Sequence, residues 1–281
     1  MISSSSIDIE KKIKALRTVE DIISAMKAYA GVAIRKTEEL VLSIRTYEEN
    51  ILQALADVLT HYQESLLEEQ RGRKRILIAF GSSQGLCGPF NEKIVDVIMD
   101  TFSNNDTLFV IGKRLKSSIE LRGIQLDGYT DSIISINGIE HALKDTISQI
   151  MDMYKKREYY NLSIIFTSLF VKKAEISIEQ ILPPDINRSR GLRATKVLPL
   201  TYVEPEYIFN KVLEEFLYIS LYRGFIESLR SENWYRLRSM EGASESIKRR
   251  ISELDSFQKY VRQEEITEEM LEILGSGMFY R

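Results

Sequence analysis

The sequence predicts an α/β domain flanked by two long terminal helices that pair as an antiparallel coiled coil. The 281-residue chain has five prolines, none before residue 89 or after residue 205, so both ends are free to form long helices. Each end carries apolar residues at steps of three and four, which is the period of a helical seam. Between the ends, short apolar strands alternate with helical segments, a pattern typical of α/β domains.

The amino-terminal helix is predicted from Ser6 to about residue 66. Ser6 is a good N-cap, and Asp8 in the first turn favours the helix dipole. Its seam contains Ile9, Ile13, Leu16, Ile23, Met26, Ala30, Ala33, Leu40, Ile44, Tyr47, Ile51, Leu55, Val58 and Tyr62. At about 1.5 Å per residue this helix is roughly 85–90 Å long. A globular core of this size cannot bury all of it.

The middle of the chain is predicted to form a sheet with parallel members and right-handed crossovers. The predicted strands are Arg75–Phe80, Thr107–Ile111, Leu162–Ser168 and Glu175–Leu182, and the predicted helices cover residues 92–102, 113–122 and 139–156. Residues 175–178 alternate polar and apolar, which favours an edge strand. Residues 183–205 contain four of the prolines and three arginines, so an exposed connector is expected there.

The carboxy-terminal helix is predicted to begin at Pro205 and to end near Gly275 and Gly277. Its seam contains Ile208, Val212, Phe216, Ile219, Ile226, Leu237, Met240, Ile247, Ile251, Leu254 and Val261. The two seams can cover each other if the chain doubles back, and the alternative is that each pairs with another copy of the chain. The predicted domains are residues 1–68, 69–204 and 205–281.

Composition and motifs argue against several function classes. One cysteine, Cys87, and two histidines make neither a disulfide framework nor a zinc site. Adjacent acids such as Glu48 and Glu49 diverge by about 100° on a helix, so they are interpreted as solvated. No catalytic group, cofactor or metal is expected. No nucleic-acid motif is present, and no apolar run has the roughly 18 residues that a membrane span needs.

The run Gly81-Ser82-Ser83-Gln84-Gly85-Leu86-Cys87-Gly88 follows the first predicted strand, where nucleotide-binding loops lie. It lacks the lysine and hydroxyl of a P-loop and does not fit G-x-G-x-x-G. It is therefore interpreted as a tight turn whose glycines allow positive φ, with Cys87 as a small buried side chain.

Four motifs in order resemble the gamma subunit of F-type ATP synthases. They are Ile13 to Ala30, Gly85-Leu86-Cys87-Gly88-Pro89-Phe90-Asn91, Ser231 to Met240, and Arg262 to Thr267. The runs 26–30 and 43–48 are similar to the alternate, N-type branch of these ATPases, some of which are thought to move sodium ions. Departures such as Pro89, which replaces a glycine, mark a divergent member.

The resemblance implies a central rotor stalk that carries torque and does no chemistry. Its expected partners are three alpha and three beta subunits, the epsilon subunit and the membrane c-ring, at the cytoplasmic face of the cell membrane. It assigns Arg262, Gln263 and Thr267 to a catch loop of the alpha–beta ring, Met26 and Lys27 to a beta-subunit lever, and Glu204 to the loops of the membrane ring.

Two other functions remain open from the residues alone. A homodimeric coiled-coil scaffold predicts seams that pair between copies of the chain. A small nucleotide-binding α/β enzyme predicts that the isolated chain binds a nucleotide through Gly81–Gly88.

Overall fold

The computed structural model describes residues 6–62, 74–103, 105–156, 161–170, 173–184 and 200–277. The chain forms two compact units. The first contains the residues up to Ala30 together with those from Leu237 onwards, and the second contains Gly31–Arg236. Two long helices, α1 (Ser6–Tyr62) and α5 (Pro205–Gly277), contribute to both units.

In the first unit, α1 and α5 run antiparallel. The backbone N–H of Ser6 donates to Glu265 Oε1 at 2.9 Å, and Gln258 Nε2 donates to the Ser6 carbonyl at 3.5 Å. Farther along, Lys248 Nζ lies 3.8 Å from Glu20 Oε1. The predicted seam residues Ile9, Ile13, Ile23, Ala30 and Met240 are buried. The described parts of the two seams therefore pair within one chain, as predicted.

The second unit contains a five-stranded sheet in the order β3-β2-β1-β4-β5. Its strands are β1 (Arg75–Phe80), β2 (Thr107–Ile111), β3 (Gly128–Thr130), β4 (Asn161–Phe170) and β5 (Lys173–Leu182). The first four are parallel, and β5 pairs antiparallel with β4 at one edge. The edge position of β5 and the four predicted strands are thus confirmed.

Helices cover both faces of this sheet. They are α2 (Phe90–Thr101), α3 (Lys113–Glu120) and α4 (Ile139–Lys156), together with the parts of α1 and α5 that belong to this unit. One buried cluster joins α1, α4 and α5 to the sheet through side chains such as Leu55, Leu143, Phe225 and Phe166. The other joins α2 and α3 to the opposite face. Helices α2 and α3 each bury one apolar stripe, as the period of the sequence predicts, whereas α5 is buried on all sides over residues 223–229.

Two short elements were not predicted. Strand β3 has three half-buried residues, too few to show an alternating pattern. A single turn of 3₁₀ helix, Ile136–Gly138, precedes α4. Helix α5 begins at Pro205, as predicted. Most of the predicted connector, including Arg188, Arg190 and Arg193, lies outside the described residues, as does the chain between Tyr62 and Lys74. The division at 1–68, 69–204 and 205–281 stays a prediction.

Candidate interaction surfaces

The residues assigned to the catch loop lie on one stretch of α5. Arg262, Gln263 and Thr267 are exposed, and Thr267 Oγ1 donates to the Gln263 carbonyl at 2.7 Å. Because Arg262 and Gln263 are exposed, a partner can reach them. The contact itself stays a prediction.

Met26 and Lys27 lie on α1, and both are half-buried. Beside them, Val19, Ile22 and Tyr29 are exposed apolar side chains at steps of three and seven residues. This spacing forms a second apolar stripe on α1, besides the seam that faces α5. A lever contact at Met26 and Lys27 stays a prediction.

Glu204 is exposed and precedes the first turn of α5, where its carbonyl accepts from the N–H groups of Tyr207 and Ile208. Exposed apolar side chains surround it in sequence: Leu200, Tyr202, Val203 and Tyr207. Large apolar side chains that are exposed together mark an interaction surface. The assignment of Glu204 to the membrane ring stays a prediction.

Arg223 on α5 is the centre of a buried ion-pair network that sequence analysis missed. Its Nε lies 2.8 Å from Glu48 Oε2 on α1, and its terminal nitrogens donate to both carboxylate oxygens of Glu179 on β5. The Phe166 ring lies 5.0 Å from the guanidinium. Burial lowers the pKa of Arg223, but the neighbouring carboxylates raise it by more than burial lowers it. The net shift of the pKa is therefore upward. The charged side chain therefore links two helices and the sheet.

A signal for this network was present in the sequence. Arg223 lies four residues after Ile219 and three before Ile226, so it occupies a position of the α5 seam. A charged residue at a seam position has to meet an opposite charge, because burying it alone is costly.

The interpretation of Glu48 as a solvated acid is wrong, although it holds for the exposed Glu49. The Glu48 side chain is 12% exposed, and its Oε1 accepts from Ser220 Oγ at 3.2 Å. The 100° step between neighbours turns Glu49 to solvent and Glu48 towards α5, where Arg223 compensates its charge.

The Gly81–Gly88 loop is held by hydrogen bonds between Ser82 and Asn91 in the first turn of α2. Asn91 Oδ1 accepts from the Ser82 N–H at 3.0 Å, and Asn91 Nδ2 donates to Ser82 Oγ at 2.8 Å. Gly88 has a positive φ, as predicted for this turn, but so does Leu86, where no glycine provides it. Cys87 is buried, as predicted, and burial raises the pKa of its thiol.

Helix α5 lies against the sheet edge at which doubly wound folds bind nucleotides. That edge is formed by the carboxyl ends of the parallel strands, next to the strand where the order reverses. Here the Phe225 ring packs on Phe80 at the end of β1, with ring centroids 5.1 Å apart. Ser231 Oγ donates to the Thr167 carbonyl of β4 at 2.8 Å. The position is therefore taken by protein side chains.

Glu232 forms a buried ion pair with Arg236, one turn later on α5. Burial raises the pKa of Glu232 to about 6 from 4.5, although Arg236 opposes the shift. The folded chain thus keeps this proton at pH values where the unfolded chain has released it. The free energy of unfolding should therefore fall as the pH rises from about 4.5 through about 6.

We expect Glu232→Gln to remove this pH dependence, which amounts to about 2 kcal/mol in total. The measurement is urea unfolding of both proteins at several pH values from about 4.5 to about 7, followed by the fluorescence of Trp234, the single tryptophan. The exposed Glu253→Gln variant should keep the profile of the parent chain. Parallel profiles for the parent and Glu232→Gln would contradict the assignment.

The described residues offer neither a metal site nor a membrane-spanning helix. Within these residues, no group of three or more His, Cys, Asp and Glu side chains is placed to hold a metal ion. Nor is any helix among them long and apolar enough to cross a bilayer.

The chain was compared with known protein families. Residues 5–278 match the family model described as ATP synthase. The chain belongs to the ATP synthase gamma-chain family. It is 26% identical to the ATP synthase gamma chain of Bdellovibrio bacteriovorus and 27% identical to that of Malacoplasma penetrans. Each alignment covers 96% of this chain and 97% of the relative, so family membership includes both long helices and the sheet domain.

Solved structures share the fold. A chain of the Tetrahymena thermophila mitochondrial ATP synthase central stalk and c-ring aligns with a TM-score of 0.63 at 20% identity, covering 79% of this chain and 99% of that one. A chain of the Euglena gracilis enzyme aligns with a TM-score of 0.65 at 14% identity, covering 97% and 93%. The predicted fold class, long terminal helices flanking an α/β domain, is confirmed.

Proposed function

We propose that this chain is the central rotor stalk of an F-type ATP synthase and transmits torque between a membrane c-ring and an alpha–beta catalytic head. The observation that carries the proposal is the family match over residues 5–278, which includes both helices of the antiparallel pair. Its partners would be three alpha and three beta subunits, an epsilon subunit and the c-ring.

The second unit has the construction that torque transmission needs. Helices α1 and α5 share a buried apolar cluster with the sheet, and Arg223 joins α5 to Glu48 of α1 and Glu179 of β5. Because close-packed interiors transmit strain, a force on the sheet domain reaches both helices together. If only one of the two helices turned, the helix pair would not transmit the full torque to the head.

Contact with the head explains how such a stalk acts without chemistry of its own. A partner shifts a conformational equilibrium only by contacting its states unequally. A helix pair with different side chains on each face presents a different surface to each of three identical catalytic subunits. Rotation then changes which surface each subunit meets, and with it the affinity of that subunit for nucleotide.

The far end of α5 has the composition of a surface that is covered in an assembly. Ile266, Met270, Leu271 and Leu274 are all exposed, with about half to two-thirds of each side chain in solvent. Such a run on a single helix fits insertion into the head, where partner side chains cover it.

The contacts proposed for individual residues follow the family resemblance. Arg262, Gln263 and Thr267 would bind the catch loop, and Met26 and Lys27 the beta-subunit lever. Glu204 would lie near the loops of the c-ring, at the cytoplasmic face of the cell membrane. We also propose that residues 1–68, 69–204 and 205–281 are the domains on which these contacts are distributed.

The coupling ion of the complex is a proton or a sodium ion. The similarity of residues 26–30 and 43–48 to the alternate, N-type branch keeps sodium in consideration. By the same resemblance, the ion-binding carboxylates belong to the membrane ring, so its sequence decides between the two ions.

Co-purification tests the proposed function. The chain is tagged in its native host and isolated gently, and the subunits, their stoichiometry and the ATPase activity are determined together. The expected result is one copy of this chain with three alpha and three beta subunits and ATPase activity. Recovery of the chain alone or as a homodimer would overturn the proposal.

Within that complex, we expect Arg262→Ala with Gln263→Ala to lower coupled ATPase turnover several-fold, because about 1–2 kcal/mol of hydrogen bonding to the catch loop is lost. Both side chains are exposed, so the stability of the chain should change by no more than about 0.5 kcal/mol. Arg249→Ala, an exposed arginine on the same helix, is the control. Unchanged coupled turnover in the double variant would remove the catch-loop assignment.

A further inference from the structure

Three ion pairs join α1 to α5 within the second unit, and their charges alternate along each helix. Along α1 the order is acid, base, acid, and along α5 it is base, acid, base. Torque transmission requires only that the helices are joined, which does not account for the alternation. The three pairs, called here the charge ladder, are Glu38–Arg230 with a nitrogen–oxygen distance of 3.0 Å, Arg45–Glu227 at 2.5 Å and Glu48–Arg223 at 2.8 Å.

Stability alone does not account for the central pair of the ladder. The Glu227 side chain has no exposure to solvent, and its Oε2 has no hydrogen-bond partner among the residues that the structure describes. Taking such a carboxylate out of water offsets much of its attraction to Arg45, and an apolar pair of similar volume would stabilise the helices as well. The best-attested role of a buried charged or polar group between helices is to fix their register.

The apolar seams leave the register of α1 on α5 open. Val41 and Ile44 on α1 lie three residues apart in the buried cluster, and so do Ile226 and Leu229 on α5. If α1 moves along α5 by one helical turn, about 5.4 Å, one apolar side chain takes the place of another. Packing of the seams by itself therefore admits the neighbouring register.

The central arginine of the ladder opposes such a slip in both directions. Arg45 lies opposite Glu227. One turn later on α5 is Arg230, and one turn earlier is Arg223. A slip of one turn either way therefore replaces an attraction by a repulsion between two guanidinium groups, and that repulsion is poorly screened because both α5 arginines are largely buried.

The two acids of α1 oppose the same slips. When Arg45 moves towards Arg230, Glu48 moves onto Glu227, four residues after its present partner. When α1 slips the other way, Glu38 moves onto Glu227, three residues before its present partner. Each slip of one turn thus brings two pairs of like charges together, one basic and one acidic, whereas the observed register has none.

We propose that the charge ladder is a register lock, which holds α1 and α5 at one axial position against a slip of one helical turn. The lock is a property of the isolated chain and goes beyond the proposed function. Only its consequence rests on that function: in a rotor, both helices would bear load without sliding past each other.

The test reverses the central pair by Arg45→Glu with Glu227→Arg. The ion pair remains, with its signs exchanged. All three ladder charges of α1 are then acidic, and all three of α5 are basic. Opposite charges therefore meet in the observed register and also after a slip of one turn in either direction. The variant removes the discrimination between registers but keeps the attraction between the helices.

The register is measured in the isolated full chain by double electron–electron resonance. Nitroxide labels are placed on cysteines introduced at the exposed Glu39 of α1 and Asn210 of α5, and Cys87 is replaced by serine in every protein. These sites lie roughly 30 Å apart along the helices, and a slip of one turn changes that separation by about 5 Å. The parent chain should give one distance. The reversed variant should give a second one, about 5 Å away, in at least about a tenth of the molecules.

A neutral variant, Arg45→Gln with Glu227→Gln, also removes the like-charge pairs of the slipped registers. Amides of similar size replace both charges, so this chain is expected to fold, and it should show the second distance as well. It decides the question if the reversed variant, which gathers like charges on each helix, does not fold. A single distance in every ladder variant that folds would overturn the inference, because apolar packing would then fix the register.

The control reverses a pair outside the ladder, by Glu20→Lys with Lys248→Glu, and should keep the single distance of the parent chain. A second distance in this control would mean that any reversed charge loosens the helices, and it would overturn the inference too. The measurement needs no partner subunit. It therefore decides the inference even if co-purification contradicts the proposed function.

Discussion

Replacing Arg223 by Met is expected to destabilise the second unit by about 3–5 kcal/mol, the range for removing one partner of a buried ion pair. Methionine keeps the length and much of the apolar stem, so the loss of volume contributes little. What remains is two carboxylates, Glu48 and Glu179, that face each other without the guanidinium that compensated them. Urea unfolding followed by Trp234 fluorescence measures the change.

The matched control is Arg230→Met. Arg230 also lies on α5 and pairs with α1, but its partner Glu38 is 57% exposed, so water takes over when the pair is broken. A loss of about 1 kcal/mol or less is expected there. If both variants lost the same free energy, the buried network around Arg223 would have no special importance.

A rescue variant tests the cause. Adding Glu48→Gln and Glu179→Gln to Arg223→Met replaces the two uncompensated charges by neutral amides. A large part of the lost stability should return, because the cost comes from buried charge and not from missing contacts. No recovery would point to packing instead.

The elements of the fold could be predicted because each has a local signature. The ends without proline and the seams of three and four residues predicted α1 and α5, and the start of α5 was fixed by Pro205. Strands such as Arg75–Phe80 are apolar runs of ordinary length that are buried on both faces. β3 was missed because only three residues form it and their pairing with β2 is a long-range property.

The interaction surfaces were less predictable, since they depend on residues far apart in the chain. Arg223, Glu48 and Glu179 come from three elements. Glu48 lies four residues after Ile44 and three before Ile51, so it occupies a seam position that Glu49 does not, but its partner cannot be read from the local sequence. The Gly81–Gly88 loop resembled a nucleotide loop in position, but whether that position is open depends on α5, which begins more than a hundred residues later. The seam periodicity shows that α5 packs against another element, but not that it packs at the carboxyl ends of the parallel strands.

The second large effect is expected at Gly112, which precedes α3. Its φ is +111°, and a Cβ there would lie 2.7 Å from the backbone of Gly81, in the loop that follows β1. Neither loop can yield easily, because Gly112 N–H donates to the Thr130 carbonyl at 2.9 Å and Gly81 N–H to the Ile111 carbonyl at 2.8 Å. These bonds hold the ends of β1, β2 and β3 together.

We therefore expect Gly112→Ala to lower the free energy of unfolding by about 2–6 kcal/mol, with about 1–3 kcal/mol each from backbone strain and from steric overlap. Gly123→Ala separates the two causes, since Gly123 also has a positive φ, +78°, but nothing lies within 4 Å of its Cβ position. Only backbone strain should lower its stability, by about 1–2 kcal/mol. Urea unfolding followed by Trp234 fluorescence measures the loss of stability in both variants. Equal losses at both glycines would mean that the strand ends can separate, because the overlap at Gly112 would then be relieved at no cost.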